Sequence, residues 1–171
     1  MYICLQIVKL YILFYQYDGM GYQLDEKDRL ILQALESDSR QSTSSIAKKT
    51  GISRVTVHDR IRRLKKQGII KRFTVELNYD LLGFGDSAYA CITFRKEHGM
   101  TEWTLGEKLA SMPFVHDVSV ISGEYDLIVH LRGTSIKNIG ETIIQNISPL
   151  PPVGKITTMA CYRDFKGQFK L

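Results

Sequence analysis

Near residue 80 the apolar residues of this chain change their spacing, and that change constrains its fold more than any other feature. Before it they recur every three or four residues, as in a helix; after it they alternate, as in a half-buried strand. A chain of 171 residues with two such regimes is read as two small modules in series, the first helical and the second mixed α+β. The charge divides at the same place. Residues 25–80 carry 13 Lys and Arg against 8 Asp and Glu, whereas residues 81–171 carry 9 of each, so the net charge of +5 resides in the first module. A basic module beside a neutral one points to an anionic polymer as the partner of the first. With 44% hydrophobic and 24% charged residues, neither a disordered nor a fibrous chain is expected.

In the first module, Asp25 and Asp28 predict a helix N-terminus, and Leu30, Ile31, Ala34 and Leu35 give that helix one apolar stripe. After the polar break at 38–42, Thr43 is expected to cap a short second helix containing Ile46 and Ala47, ended by Gly51. Ser53 then caps a third helix, in which Val57, Ile61 and Leu64 recur at i, i+4 and i+7 and must face a core. Its other positions hold Arg54, Arg60, Arg62, Arg63, Lys65 and Lys66 against the single acid Asp59. Helix, glycine turn and helix with a basic outer face is the order of a helix-turn-helix, whose second helix enters the major groove of double-stranded DNA. A solvated charged face is the plain alternative, but six cations against one acid at this place in a three-helix pattern favour DNA. Beyond Gly68, the run Ile69, Ile70, Phe73, Val75 and Leu77 predicts a β-wing carrying Lys71 and Arg72.

Roles follow from docking geometry. The first turns of the recognition helix enter the groove, so Arg54, Val55, Thr56, His58 and Asp59 are candidates for base edges: arginine for guanine, the Val or Thr methyls for thymine, aspartate for cytosine. His58 can equally be a solvent-facing residue, and Asp59 can instead pair with Arg62 or Arg63. Arg60, Arg62, Arg63, Lys65 and Lys66, with the hydroxyls of Ser42, Thr43 and Ser44, are candidates for the phosphate side of the interface, which positions without specifying sequence, and the capping Ser53 is a further candidate DNA contact.

In the second module Ala88, Ala90, Ile92 and Phe94 alternate in a strand. Trp103, Leu105, Leu109 and Met112 lie in a helical stretch ended by Pro113, and Val118 and Val120 alternate again before the turn Ser122-Gly123-Glu124. Leu127, Val129 and Leu131 form a third strand, Ile136, Ile139, Ile143 and Ile147 a second helix, and Ile156, Thr158, Ala160 and Tyr162 a last strand. The order strand, helix, strand, strand, helix, strand is the ferredoxin-like βαββαβ sandwich, with both helices on one face of an antiparallel sheet. The other face, with Tyr89, Cys91, Thr93, Ile128 and His130, is too apolar for water and predicts a homodimer of paired sheets. The expected divisions are an N-terminal extension of open role at 1–23, a winged helix-turn-helix at 24–77, a linker at 78–85 and the sandwich at 86–171.

The apolar run from Tyr2 to Tyr17 is interrupted by Gln6, Lys9 and Gln16 and falls short of the roughly 20 residues of a spanning helix, so no membrane partner is expected. It has neither the basic start nor the cleavage site of a signal peptide. Met20, immediately before regular patterning begins, fits a start codon misplaced upstream as well as an extra strand or packing helix does. Cys4, Cys91 and Cys161 are odd in number and lack C-x-x-C spacing, so neither a disulfide framework nor a metal site is expected and a reducing cytoplasm is the default.

The stretches GISRVTVHDRIRRLKKQGIIKRFTVELNYDLLG and ISGEYDLIVHLRG, in this order and at this separation, resemble the Lrp/AsnC family, the feast/famine regulators of bacteria and archaea. The resemblance spans about Leu24 to Lys170. It implies a transcriptional regulator whose C-terminal domain dimerises, assembles further to tetramers or octamers, and binds an amino acid or similar small effector between dimers. It carries over Gly123, Glu124, Tyr125 and Asp126 as effector contacts, and Thr157 and Thr158 on the last strand. A glycine turn offers backbone N–H groups to an α-carboxylate, and Asp126 can receive an α-ammonium. Where the family often has proline after the capping serine, this chain has Arg54, so no operator sequence is borrowed. The resemblance implies no cofactor.

Two other functions share parts of this pattern. A nucleoid-like DNA binder of low specificity would share the phosphate contacts. An enzyme like the sirohaem decarboxylases of the same superfamily would need convergent histidines and arginines; His98, His116, His130, Arg95, Arg132 and Arg163 show no catalytic spacing, and an enzyme has no use for a basic recognition helix. The chain is therefore read as a non-enzyme.

Overall fold

The computed structural model describes residues 23–96 and 99–165; most of the N-terminal extension, His98 and Lys170 lie outside them. Internal contacts divide the chain into one unit ending at Val75 and another beginning at Glu76.

The first unit is three helices, α1 (Glu26–Ser37), α2 (Thr43–Thr50) and α3 (Arg54–Lys66). Asp25 caps α1, its side chain accepting from the Asp28 N–H at 2.9 Å. Ser42, not Thr43, caps α2 by accepting from the Ser45 N–H, because its extended backbone aims the hydroxyl at that amide. Gly51 ends α2 with φ of 71°, a left-handed conformation that glycine adopts without strain. Ser53 caps α3 as its position predicts.

Ile31, Leu35, Ile46, Ile52 and Val57 form the core, with Ala34, Ala47, Ile61 and Ile70 against it. The expected stripe on α1 is corrected at one position. Leu30 is exposed, and its place in the inward row i, i+3, i+7 is taken by Asp28 with Ile31 and Leu35. In the run expected as a wing, residues 71–78 pair with no strand among the described residues. Ser39 Oγ reaches the Thr74 carbonyl at 3.2 Å, Ile70 tucks under the core, and Phe73 and Val75 stay exposed. Strand-forming composition needs a partner backbone, and the three helices supply none.

The second unit has strands β1 (Asp86–Phe94), β2 (Val115–Val120), β3 (Leu127–Gly133) and β4 (Val153–Cys161) in the antiparallel order β2-β3-β1-β4. α4 (Glu102–Ala110) and α5 (Ile136–Thr142, continued by a π-helical turn Ile143–Ile147) complete the βαββαβ order. Leu105 and Leu109 of α4 and Ile139, Ile143 and Ile147 of the second helical segment share one core with Ala88, Ala90, Ile92, Leu127, Val129 and Leu131. Both helices therefore cover one sheet face, as the period-2 pattern requires. Trp103 and Ile136, placed in the helical stripes by spacing, are about half exposed. The segment 78–85 is a hydrogen-bonded turn: Phe84 N–H donates to the Tyr79 carbonyl at 2.9 Å, and Leu81 N–H to Asn78 Oδ1 at 3.1 Å. No helix among the described residues is long and apolar enough to cross a membrane.

Candidate functional site

Within the first unit the outer face of α3 is the candidate nucleic-acid surface. Buried Val57 and Leu64 fix the helix's rotation, which leaves Arg54, Val55, His58, Asp59, Arg62, Lys65 and Lys66 exposed. Val55 is 71% exposed, a high value for an aliphatic side chain and one that suits apolar contact outside the chain. Thr56 is half-buried, its hydroxyl 2.8 Å from Ser53 Oγ at the cap. Asp59 lies 3.3 Å from the His58 ring, an arrangement that the alternative pairing with Arg62 or Arg63 did not anticipate. Ser42 and Ser44 are exposed at the start of α2, with Thr43 half-buried between them.

Two of the cations assigned to phosphate point elsewhere. Arg60 donates from Nη1 to both carboxylate oxygens of Asp25 and, at 2.9 Å, to Asp28 Oδ1. Arg63 Nη2 contacts both Asp28 oxygens at 3.0 and 2.9 Å. Arg60's guanidinium is thus held against α1, and its phosphate role is corrected to a structural one; Arg63, half exposed, divides its donors. The hydrogen bond from Arg60 holds the Asp25 carboxyl down to about 2, and Arg60 is raised in turn. Asp28 itself is 1% exposed, so this ion cluster joins α1 to α3. Arg54, Arg62, Lys65 and Lys66 form no ion pair among the described residues; Lys65 lies over the Phe73 ring at 5.8 Å.

In the second unit the turn between β2 and β3 carries Gly123, Glu124, Tyr125 and Asp126. Gly123 has φ of 145°, which a side chain would strain. Asp126 is built into the sheet: its N–H donates to the Ile92 carbonyl at 2.9 Å, and its Oδ2 accepts from the Phe94 N–H at 2.7 Å. The Tyr125 hydroxyl reaches Thr157 Oγ1 at 3.2 Å, so the structure brings the turn and the last strand together. Thr158 follows on the opposite strand face, opposite Ala90, and does not join them. Glu124 is exposed.

The sheet face away from the helices also holds a polar cluster that sequence reasoning missed. Tyr89 stacks on His130 with centroids 4.6 Å apart, and Asp164 accepts from the Tyr89 hydroxyl (3.1 Å), Arg132 Nη2 (2.8 Å) and Cys161 Sγ (3.2 Å). The Cys161 contact leads in holding Asp164 below its ordinary value. Asp117 Oδ2 lies 2.8 Å from His116 Nδ1 and 3.3 Å from His130 Nδ1. Burial pushes the His130 imidazole pKa down, against the pull of Asp117 and Asp164. A cleft of about 790 Å³ borders this cluster at Ser87, Arg132, Cys161 and Asp164, and a more apolar one of about 500 Å³ is lined by Leu77, Leu82, Phe84, Phe114 and Val115. Neither cleft is lined by the turn residues 123–126.

Comparison with known proteins agrees with both units. A family described as winged helix-turn-helix DNA-binding matches residues 24–71, and one described as the Lrp/AsnC ligand binding domain matches residues 87–171. An uncharacterised HTH-type transcriptional regulator of Pyrococcus furiosus is 33% identical over 87% of this chain and 99% of its own length. AsnC of E. coli superposes with a TM-score of 0.76 at 23% identity, covering 88% of this chain and all of that one. A transcriptional regulator of Neisseria meningitidis, solved as a complex with L-Met, gives a TM-score of 0.77 at 18% identity, covering 87% of this chain and 96% of that one.

Proposed function

This chain belongs to the Lrp/AsnC family of DNA-binding transcriptional regulators with a ligand-binding domain, and on that premise we propose that it reads a specific DNA site as a homodimer and answers an amino acid or similar small effector. The observation that carries the reading is the exposed, basic face of α3 with Val55 at its first turn. Arg54, Val55, Thr56, His58 and Asp59 meet base edges. Arg62, Lys65 and Lys66, the exposed edge of Arg63, and the Ser42–Ser44 and Ser53 hydroxyls face phosphates. Two recognition helices related by a dimer's two-fold axis match a palindromic site. Tyr89, Cys91, Thr93, Ile128 and His130 supply the face on which two sheets pair.

For the effector, the Gly123 turn offers backbone N–H groups to an α-carboxylate. Asp126 keeps one oxygen on Phe94, and a carboxylate has lone pairs left for an α-ammonium. Tyr125 and Thr157, already joined, are the adjacent polar contacts. The Neisseria relative's L-Met supports an amino acid at this fold. Effector held between dimers shifts assembly to tetramers or octamers, and with it the spacing of recognition helices, so that two distinct sites are coupled.

The test is fluorescence anisotropy with DNA from immediately upstream of the coding region against random DNA, across a salt series, with and without an amino-acid mixture. Tighter binding to the upstream DNA that changes with the mixture is expected. Equal, steeply salt-dependent binding to both DNAs with no effect of amino acids would overturn the reading in favour of a nucleoid-like role.

A further inference from the structure

We propose that His116, Asp117 and His130 form a binding site for a divalent transition-metal ion at the β2 edge of the sheet face away from the helices, on the strands that carry the Gly123–Asp126 turn.

The convergence has an identifiable structural cause. Consecutive residues of a strand point to opposite faces, so His116 and Asp117 belong on different sides of β2. A bulge between Val115 and Asp117 breaks that rule: Val115 pairs with Leu131 and Asp117 with His130, leaving His116 as the extra residue. Both side chains consequently reach the same place opposite His130. One nitrogen of each imidazole and one oxygen of Asp117 all lie within 4.8 Å of one another. Two of these separations, 2.8 and 3.3 Å, run from Asp117 Oδ2 to His116 Nδ1 and His130 Nδ1.

Tetrahedral coordination at about 2.0–2.2 Å places ligand atoms roughly 3.4 Å apart. Two of the three separations are therefore near their final values. The third, between the two imidazoles, is within 4.8 Å, and the His116 ring packs against the His130 ring with centroids 4.9 Å apart.

The shell behind the ligands fits as well. Metal-bound histidines usually pair their second nitrogen with a carboxylate, which fixes the tautomer and the ring. His130 Nε2 is buried without a hydrogen bond and faces Asp164 Oδ2 at 3.7 Å, and Asp164 is itself anchored by Arg132 and Tyr89. Two imidazoles and one carboxylate suit zinc, nickel or cobalt, whereas calcium and magnesium take oxygen-rich sets. Three protein ligands leave a further position for water or another group. A bound ion would clamp β2 to β3, the hairpin whose turn is Gly123–Asp126.

The experiment is a Co²⁺ titration of the untagged, chelator-treated full chain, read by visible absorption, with Zn²⁺ as competitor. Expected are ligand-field bands that saturate at one Co²⁺ per chain and are bleached by Zn²⁺. His116→Ala and Asp117→Asn, both at exposed positions, should each weaken binding at least about 100-fold, and Asp164→Asn about 10–100-fold. His58→Ala, a histidine beside an aspartate in the other unit, should leave it unchanged. Saturation unaffected by His116→Ala and Asp117→Asn, the absence of ligand-field bands at one equivalent, or bands with thiolate-to-cobalt charge transfer would each overturn the site.

Discussion

The two units handle charge in opposite places. In the first, Asp28 is almost completely enclosed between helices, with Arg60 and Arg63 upon it. In the second, His116, Asp117, His130, Arg132 and Asp164 gather on the sheet face away from the helices, and the core is wholly apolar. Core size explains the contrast. Among the described residues, five apolar side chains are buried in the first unit's cluster and twelve in the second's, so the small unit fastens α1 to α3 with ion pairs while the larger one keeps its ionisable groups out of its apolar cluster. One consequence concerns the recognition helix itself. Its cations face two ways, Arg60 inward onto Asp25 and Asp28 and Arg62, Lys65 and Lys66 outward, where the proposed phosphate contacts lie.

That contrast can be broken by mutation. The largest expected effect is Leu131→Ala, which empties a fully buried position of the apolar core and should cost about 3–5 kcal/mol in denaturant unfolding of the second unit. Asp28→Ala should cost the first unit about 2 kcal/mol; a fully buried pair loses more, but Arg63 is half exposed. If Asp28→Ala is neutral in the same experiment, the ion cluster does not hold the helices.

The division of labour on α3 sharpens the comparison further. Arg60→Ala should lower the melting temperature and Arg62→Ala should leave it unchanged while weakening DNA binding; the reverse outcome in calorimetry and anisotropy would exchange their roles. Arg54→Ala should cost about 1–3 kcal/mol on the specific site alone, and Lys65→Ala should weaken all DNA alike with a shallower salt slope.

The smallest effect is in pH. Asp25 is depressed from 3.8 to about 2, so its contribution is complete above 3.8 and is lost as pH falls toward 2. Circular dichroism melts should show the first unit losing stability across that window, and Asp25→Asn should remove that part of the pH dependence.

Much of this could be read in advance from short-range patterns. Asp25, Gly51 and Ser53 are where the chain's own hydrogen-bonding and backbone preferences put them, and the alternation in β1 and β3 matches their buried faces. The cap of α2 shifted by one residue because Ser42 and Thr43 are chemically equivalent there. Hydropathy alone places Leu30 inward, because it cannot recognise an aspartate whose charge is met by two arginines 32 and 35 residues away. The spacing 28, 31, 35 did carry that signal. In the wing, residues 71–78 have a composition that suits a strand but pair with no strand among the described residues.

In β2 the signal was a break in alternation. Val120 and Val118 face the core, period 2 puts residue 116 inward as well, and histidine stands there. The bulge moves Val115 inward in its place and turns His116 outward beside Asp117.

The sequence by itself determined the two modules, their order, the helix-turn-helix and the βαββαβ succession, because those depend on contacts between residues a few positions apart. Only the tertiary structure decided that Arg60 faces α1, that Asp126 is bonded to Phe94, and that two histidines flank Asp117. Each of these depends on where two distant segments meet, and there a single bulge or a single turn of a helix changes which side chains come within a few ångströms.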